Sequence, residues 1–208
     1  MQMKSKLLLS SFLFITLSYA TVSDGPYIGA ELGGSNQNVN FLPSSFNLNT
    51  NGSNLDNPHW GMMARLNLGY NLDQYSGFEF GTSYTLPISH QFPDSSGSTN
   101  LSVTSLDWSY ILSIPTIVDG WSVFGRAGLS YNWLNGGNGC GCENNNLSGY
   151  GFADVLGAGL KYNINPNTSF RMEWLANGLF FPIGVGKNSN LIANVNSQNF
   201  LAGINYHF

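Results

Sequence analysis

Apolar and polar residues alternate along most of this chain. In the last nine residues every second position is apolar, and these positions are Phe200, Ala202, Ile204, Tyr206 and Phe208. A period of two with one apolar face is typical of a β-strand whose faces meet different surroundings. A strand that faces lipid carries such a row of aromatic and aliphatic side chains.

Eight alternating stretches follow residue 21, each about ten residues long, the length that a tilted strand needs to cross a bilayer. They are Pro26–Ser35, Trp60–Leu72, Gly77–Leu86, Leu101–Ile114, Trp121–Trp133, Tyr150–Asn163, Thr168–Leu179 and Ser197–Phe208. Short connections with turn-forming residues alternate with four long ones (36–59, 87–100, 134–149 and 180–196) rich in Asn, Ser and Gly. This rhythm predicts an all-β fold, an eight-stranded antiparallel up-and-down transmembrane β-barrel with short periplasmic turns and long extracellular loops.

The two faces of the predicted strands differ in charge. Eight charged residues take the polar face: Glu31, Arg65, Glu79, Asp107, Arg126, Lys161, Arg171 and Glu173. Four basic and four acidic groups from seven strands would therefore point into one lumen, which side chains fill in a barrel of this size. Because a buried charge is costly unless it is paired, we expect a salt-bridged polar plug. The alternative is that some of these charges lie at the rim, in water.

The N-terminal residues predict export. Lys4 and Lys6 precede an apolar run over 7–17, and Ser18-Tyr19-Ala20 offers small residues at the cleavage-determining positions. The run is too short for a membrane helix and is typical of a secretory signal peptide. We therefore expect a signal peptide over 1–20, cleaved near Ala20, and a single barrel domain over 21–208.

Composition agrees with a membrane barrel. Charged residues are 9% of the chain and aromatic residues 14%, against about 25% charged residues in ordinary soluble domains. The formal net charge of −4 gives no basic surface for nucleic acid. A soluble lipocalin-like barrel is the main rival fold. It would turn the apolar rows inward and the charged rows outward.

Several segments resemble the transmembrane domain of outer-membrane protein A and its small stand-alone relatives. They are Tyr27–Gly33, Phe124–Leu129, Gly159–Pro166, Arg171–Trp174 and Gly203–Phe208. The resemblance implies a central ion-pair cluster that contains Glu31, Arg126, Lys161 and Arg171, although the signs at Glu31 and Lys161 are opposite to the family's. It also implies that Tyr206 and Phe208 belong to a C-terminal signal read by the barrel-assembly machinery.

Cys140 and Cys142 lie in the third long connection, separated by one glycine. An oxidising compartment and an even cysteine count favour a disulfide, and the flanking glycines permit the tight bend that the one-residue spacer demands. A strained disulfide, two free thiols and a metal site all remain open. No histidine or second cysteine pair is near enough in sequence to complete a zinc site, and we expect no metal or other cofactor.

The three histidines, His59, His90 and His207, invite an enzymatic interpretation. A hydrolytic site needs a histidine beside a nucleophilic serine and an orienting carboxylate. No His-x-Ser spacing occurs on any predicted strand. We therefore expect these residues to be interfacial or solvated loop histidines, and we expect no catalytic residues.

These observations lead to three functional hypotheses. The first is a monomeric structural or surface-interaction protein of the bacterial outer membrane. It would display its loops to lipopolysaccharide, host molecules or neighbouring cells. The second is a narrow, porin-like pore for ions or small solutes, and the third, disfavoured, is a lipid-modifying enzyme.

Overall fold

The computed structural model describes residues 24–41, 59–91, 98–136, 148–179, 183–185 and 193–208, which form one closed antiparallel barrel. The nine strands in these residues are β1 (Gly25–Phe41), β2 (His59–Asn71), β3 (Ser76–Gln91), β4 (Ser98–Pro115), β5 (Trp121–Gly136), β6 (Ser148–Asn165), β7 (Thr168–Asn177), β8 (Ile183–Val185) and β9 (Ala193–His207). Helices long and apolar enough to cross a membrane are absent from the described residues.

Each long strand pairs with its neighbour in the chain, from β1 to β7. β9 pairs with β7 on one side and with β1 on the other, and the second pairing runs from Tyr27↔His207 to Phe41↔Ala193. This pairing closes the sheet, so eight strands form the barrel wall. The eight-stranded antiparallel barrel predicted from the sequence is confirmed.

The short strand β8 was not predicted. It pairs with β9 at Ile183↔Val195 and Val185↔Ala193, directly beyond the end of β7, whose pairing with β9 stops at Asn177↔Ser197. β8 therefore continues the wall where β7 ends and ties the connection between β7 and β9 to the barrel rim. Three residues are too few for a periodic pattern, so β8 could not be predicted from alternation.

Several strands extend further into the long connections than the sequence pattern predicted. β1 continues beyond Ser35 to Phe41, and β3 continues beyond Leu86 to Gln91. The backbone ladder persists there, as in the pairing of β1 with β9 up to Phe41. The apolar alternation stops earlier because a strand that leaves the bilayer no longer needs a lipid-facing row.

The outer and inner faces have the predicted polarity. On the outer face, Leu66, Phe80 and Leu129 are 59%, 58% and 56% exposed. The neighbouring inward residues Arg65 and Glu79 are buried. This arrangement is the reverse of a lipocalin-like barrel, and the apolar outer rows are suited to hydrocarbon.

Aromatic rings gather on the outer face near both ends of the barrel. Their centroids lie 4.6–6.0 Å apart within each group. The rings at the end of the long connections are Tyr131, Trp133, Tyr150 and Phe152, and those at the end of the short turns are Trp121, Tyr162, Tyr206 and Phe208. Two such belts are typical of the two membrane–water interfaces.

Asp73 holds the turn between β2 and β3. Its Oδ1 accepts hydrogen bonds from the backbone N–H groups of Tyr75 and Ser76 at 2.7 Å each and from the Ser76 hydroxyl at 3.0 Å. Hydrogen bonds to a carboxylate favour its charged form. The pKa of Asp73 is therefore lowered, first by the Tyr75 N–H and then by the Ser76 side chain.

Candidate functional site

The lumen contains a layer of ion-paired side chains halfway along the barrel, here called the charge layer. Its seven members come from six strands and are Glu31, Arg65, Glu79, Asp107, Arg126, Arg171 and Glu173. All seven were singled out from strand parity alone. Period two places them on the inner face, and the stagger of the strands brings them to one height.

Glu79 lies at the centre of the charge layer. Its carboxylate accepts hydrogen bonds from Arg65 Nη2 at 3.1 Å, from Arg171 Nη1 at 2.6 Å and from Arg126 Nη2. The Tyr27 hydroxyl donates a fourth, at 2.7 Å. Three guanidiniums from different strands therefore converge on one carboxylate, which links β2, β5 and β7 across the lumen.

The other acidic groups complete the layer around these arginines. Asp107 binds Arg65 in a bidentate pair with distances of 2.5 and 2.8 Å. Glu173 Oε2 lies 2.5 Å from Arg171 Nη2 and 3.6 Å from Arg126 Nε. Bidentate and shared contacts of this kind are the strong form of the ion pair.

Glu31 joins the layer from β1. Its Oε1 lies 3.5 Å from Arg171 Nε and accepts a hydrogen bond from Asn67 Nδ2 at 2.7 Å. Sequence analysis did not single out Asn67 or Tyr27. Their positions could have been found, because each lies an even number of residues from a charge-layer member on the same strand.

The charge layer closes the lumen because its members are buried. Its members are between 0% and 4% exposed, so water hardly reaches them. The strand positions opposite them are small where space is needed: a Cβ at Gly81 would overlap the Arg65 guanidinium, and one at Gly203 would overlap the backbone of Ala30 and Glu31. The wall is therefore shaped to admit large charged side chains.

Lys161 is the exception among the eight predicted charges. It lies on the inner face of β6, but among the described residues it makes no ion pair, and the network holds three basic and four acidic groups. Lys161 lines two cavities at the turn end, below the layer. The expectation that it joins the plug is corrected. Lys161 pairs directly with Arg171, but only the Arg171 guanidinium reaches Glu79, because strand parity fixes the face of a residue and not the direction of its side chain along the lumen.

On the side of the long connections, the lumen holds a small apolar cluster among buried polar residues such as Gln37 and Asn132. Met63, Val155, Leu175 and Leu201 form a buried cluster from four strands. A small apolar constriction excludes water as well as ions. The charge layer and this cluster together close the middle of the barrel.

His207 differs from the sequence-based expectation of an interfacial or loop histidine. It is 1% exposed and points into the lumen. Its Nε2 lies 3.2 Å from Ser169 Oγ, its Nδ1 lies 3.4 Å from Asn71 Nδ2, and its ring packs against Tyr27. The outward parity of Tyr206 and Phe208 already implied this orientation. The serine contact was missed because it joins two neighbouring strands, β7 and β9, while the search considered spacing along one strand.

The remaining predicted sites lie elsewhere. Tyr206 and Phe208 are on the outer face, 49% and 68% exposed, with their rings 5.4 Å apart. Their role in assembly stays a prediction. Cys140 and Cys142 and the predicted signal peptide over 1–20 lie outside the described residues. The backbones of His59 and His90 are in β2 and β3, at the end of the long connections.

Comparisons with known proteins agree with this fold. A model of the outer membrane protein β-barrel domain family matches residues 7–208. The structure of the surface protein NspA of Neisseria has a TM-score of 0.59 and 18% identity, over 89% of this chain and 98% of that one. The outer membrane protein OprG of Pseudomonas aeruginosa has a TM-score of 0.54 and 14% identity, over 91% and 100%.

At these identities the two structures show a shared fold and no more. A search of curated protein sequences found no match. The family model, in contrast, covers nearly the whole chain, including every described strand. The chain therefore belongs to the outer membrane protein β-barrel domain family.

Proposed function

We propose that this outer-membrane barrel is a closed scaffold whose function lies in its long loops, through contact with lipopolysaccharide, host molecules or neighbouring cells. The observation that carries the proposal is the buried charge layer. Its residues are at most 4% exposed to water, and a hydrated ion is larger than a water molecule. Because the lumen is blocked in this way, the long connections of the barrel are the better candidates for activity.

The position of the long connections supports display. The four long connections leave the same rim, and β8 fixes one of them to the wall. Functional residues are commonly found on loops that a rigid scaffold positions. Four polar loops rich in Asn, Ser and Gly would offer hydrogen-bonding groups to sugars and proteins outside the cell.

The outer surface fits a single barrel surrounded by lipid. The described strands pair in a closed ring, so β1 and β9 leave no long free edge for another chain. The exposed apolar rows would contact lipid and lipopolysaccharide acyl chains. The C-terminal strand with Tyr206 and Phe208 is the segment we expect the barrel-assembly machinery to bind. A monomer follows from this proposal.

The experiment combines conductance with loop replacement. The purified barrel is placed in a planar bilayer, and cells carrying the protein are tested for adhesion to host cells and for lipopolysaccharide binding. We expect no steady conductance. We also expect adhesion to fall when residues 137–147, between the described ends of β5 and β6, are replaced by a short Gly-Ser linker. Heat-modifiable gel migration checks that this variant still folds. Unchanged adhesion after replacement of each long loop would contradict the proposal.

A narrow pore is the second candidate, and one observation favours it. A cavity of about 50 Å³ opens at the turn end and reaches Lys161, below the charge layer. Ions would then need a rearrangement of that layer and of the apolar cluster to cross. Steady conductance by the natural protein, altered in Arg126→Ala, would support the pore over display.

An enzymatic role has less support. Ser169 and His207 lie within hydrogen-bonding distance, but they are 0% and 1% exposed. A nucleophile so enclosed does not meet a substrate. We expect no lipid hydrolysis by the purified barrel, and Ser169→Ala would abolish such activity if the pair were catalytic.

A further inference from the structure

The turn end of the lumen holds a cavity that the display function does not use. It has a volume of about 50 Å³ and lies between the turns 72–75 and 116–120 and the inner faces of β4, β5 and β6. A second cavity of about 20 Å³ lies deeper, beside Tyr27 and His207. The two share Asn71, Ile111, Ser113 and Lys161, so Lys161 lies where they meet.

Lys161 is a cation without a countercharge. Among the described residues no carboxylate lies within ion-pair distance of it, although the lumen contains four. Lys161 is half-buried, and a partly desolvated ammonium group is stabilised by an anion or by several hydrogen-bond acceptors. The structure therefore provides a positive charge that faces a water-sized space and lacks a protein partner.

The carboxylates of the charge layer are already engaged by arginines. Arg171 crosses the space between them and the cavity, with its guanidinium carbon 4.4 Å from the centroid of the Phe124 ring. Phe124, Ile111 and Tyr27 also line the inner cavity. Arg171, Asn205 and His207 line it as well, so Lys161 meets no carboxylate among the described residues of the inner cavity. Any anion at Lys161 would have to come from the solution at the turn end.

The walls of the cavity supply hydrogen-bond donors. Ser122 Oγ is buried and has no hydrogen-bond partner among the described residues. Ser122 is directly opposite Lys161 in the pairing of β5 with β6. Ser113 and the Asn71 amide line the same space. A lysine with nearby hydroxyl and amide groups matches the acceptor oxygens of a tetrahedral oxyanion.

One carboxylate, that of Asp73, also lines the cavity. It lies on the turn, and its Oδ1 already accepts three hydrogen bonds from Tyr75 and Ser76. It makes no ion pair with Lys161 among the described contacts, and its hydrogen bonds are made within its own turn. Its position at the mouth would favour small anions bound deeply over large anionic ligands bound at the rim.

We infer that this cavity is a binding site for a phosphate-type oxyanion, held by Lys161 with Ser122, Ser113 and Asn71 as hydrogen-bond donors. The volume agrees with this size, because one water needs about 10–15 Å³ on the same scale, so that a cavity of about 50 Å³ has room for about three to five waters. In a barrel with periplasmic turns the site faces the periplasm. Its source would be a free phosphate compound or the headgroup of a phospholipid in the inner leaflet.

Isothermal titration of the purified barrel in an uncharged detergent tests the inference, with inorganic phosphate as the probe. We expect one saturable site whose affinity falls at least about tenfold in Lys161→Met, the loss of one charged hydrogen bond. Ser122→Ala should weaken binding by a smaller factor. Lys187→Met removes the same charge from the connection between β8 and β9 and should leave affinity unchanged.

Gel migration before and after heating shows whether each variant folds. The absence of saturable phosphate binding by the natural protein would overturn the inference, and so would equal affinity in folded Lys161→Met. A second titration uses water-soluble dihexanoyl phosphatidic acid. Tighter binding of this analogue than of phosphate would support the site with a lipid headgroup as ligand, and equal or weaker binding would support it with a free phosphate compound.

Discussion

The strongest energetic prediction concerns Glu79, because it is the acceptor shared by three arginines. In Glu79→Ala, four hydrogen bonds are lost, from Arg65, Arg126, Arg171 and Tyr27. A hydrogen bond to a charged group contributes about 1.5–3 kcal/mol, so the gross loss is about 6–12 kcal/mol. The variant recovers several kcal/mol of carboxylate desolvation, and the arginines keep their other acidic partners. We expect a net loss of about 3–5 kcal/mol, as for other broken buried ion pairs.

The comparison variant is Asp107→Ala, which removes a carboxylate bound only by Arg65. Its two hydrogen bonds give a gross loss of about 3–6 kcal/mol, and since Asp107 is slightly more exposed than Glu79 and recovers less desolvation, a net loss of about 1–3 kcal/mol remains. Ser83→Ala is the control, since Ser83 faces the lumen from β3 and forms no ion pair in the described barrel. Its expected cost is below about 1 kcal/mol.

Urea unfolding in detergent or lipid vesicles, followed by tryptophan fluorescence, gives the free energies of unfolding. The expected order of loss is Glu79→Ala, then Asp107→Ala, then Ser83→Ala. A loss in Glu79→Ala that is no larger than that in Asp107→Ala would refute the assignment of Glu79 as the centre of the charge layer. A loss of about 1 kcal/mol or less would show that the layer is open to water, as in surface pairs.

Three further predictions address the outer face, the C-terminal strand and the first turn. Leu66→Arg should lower the free energy of unfolding by about 2–4 kcal/mol because Leu66 faces hydrocarbon near the barrel middle, and Leu72→Arg at the turn should lower it by about 0–1 kcal/mol. Equal losses of the two variants, measured by unfolding in lipid vesicles, would contradict the lipid assignment. Phe208→Ala should lower the yield of membrane-inserted barrel more than Phe200→Ala, which removes a ring of similar exposure from the same row. Equal yields by heat-modifiable migration would exclude a special role in assembly. The lowered pKa of Asp73 means that its stabilisation of the turn is present above the ordinary pKa, about 3.9, and is lost as pH falls through the lower folded value. Carbon-detected NMR titration should give a midpoint below the ordinary value, which Ser76→Ala moves upward.

The fold could be predicted from the sequence because each strand of a membrane barrel has one lipid-facing and one inward face, so that apolar and polar residues alternate. Leu66 and Arg65 are neighbours on opposite faces, and the polarity of each was enough to assign it. The same rule implied that His207 points inward, since Tyr206 and Phe208 point outward.

Depth along the barrel was harder to predict. Lys161 has the same inward parity as Arg171, its partner in the pairing of β6 with β7, yet only Arg171 reaches the charge layer. The difference arises because the Arg171 guanidinium extends toward Glu79 while Lys161 lines the cavities at the turn end, and a period of two does not fix the direction of a side chain along the lumen. The ends of β1 and β3 were missed for a related reason: a hydrogen-bonded ladder continues into water without any apolar signal.

The way in which Glu79 and Glu31 are paired also bears on how the barrel is inserted. Glu31 on the first strand has partners on β2 and β7, and Glu79 on β3 has partners on β2, β5 and β7. If the sheet entered the hydrocarbon one hairpin at a time, charged side chains without partners would enter with it, at a cost of several kcal/mol each. Arg65 can pair with acidic groups within the first four strands, but Arg126 and Arg171 reach Glu79 only when β5 and β7 come together with β3. We therefore expect the last charges to be neutralised as the ring closes, so that insertion of the late strands and closure are coupled.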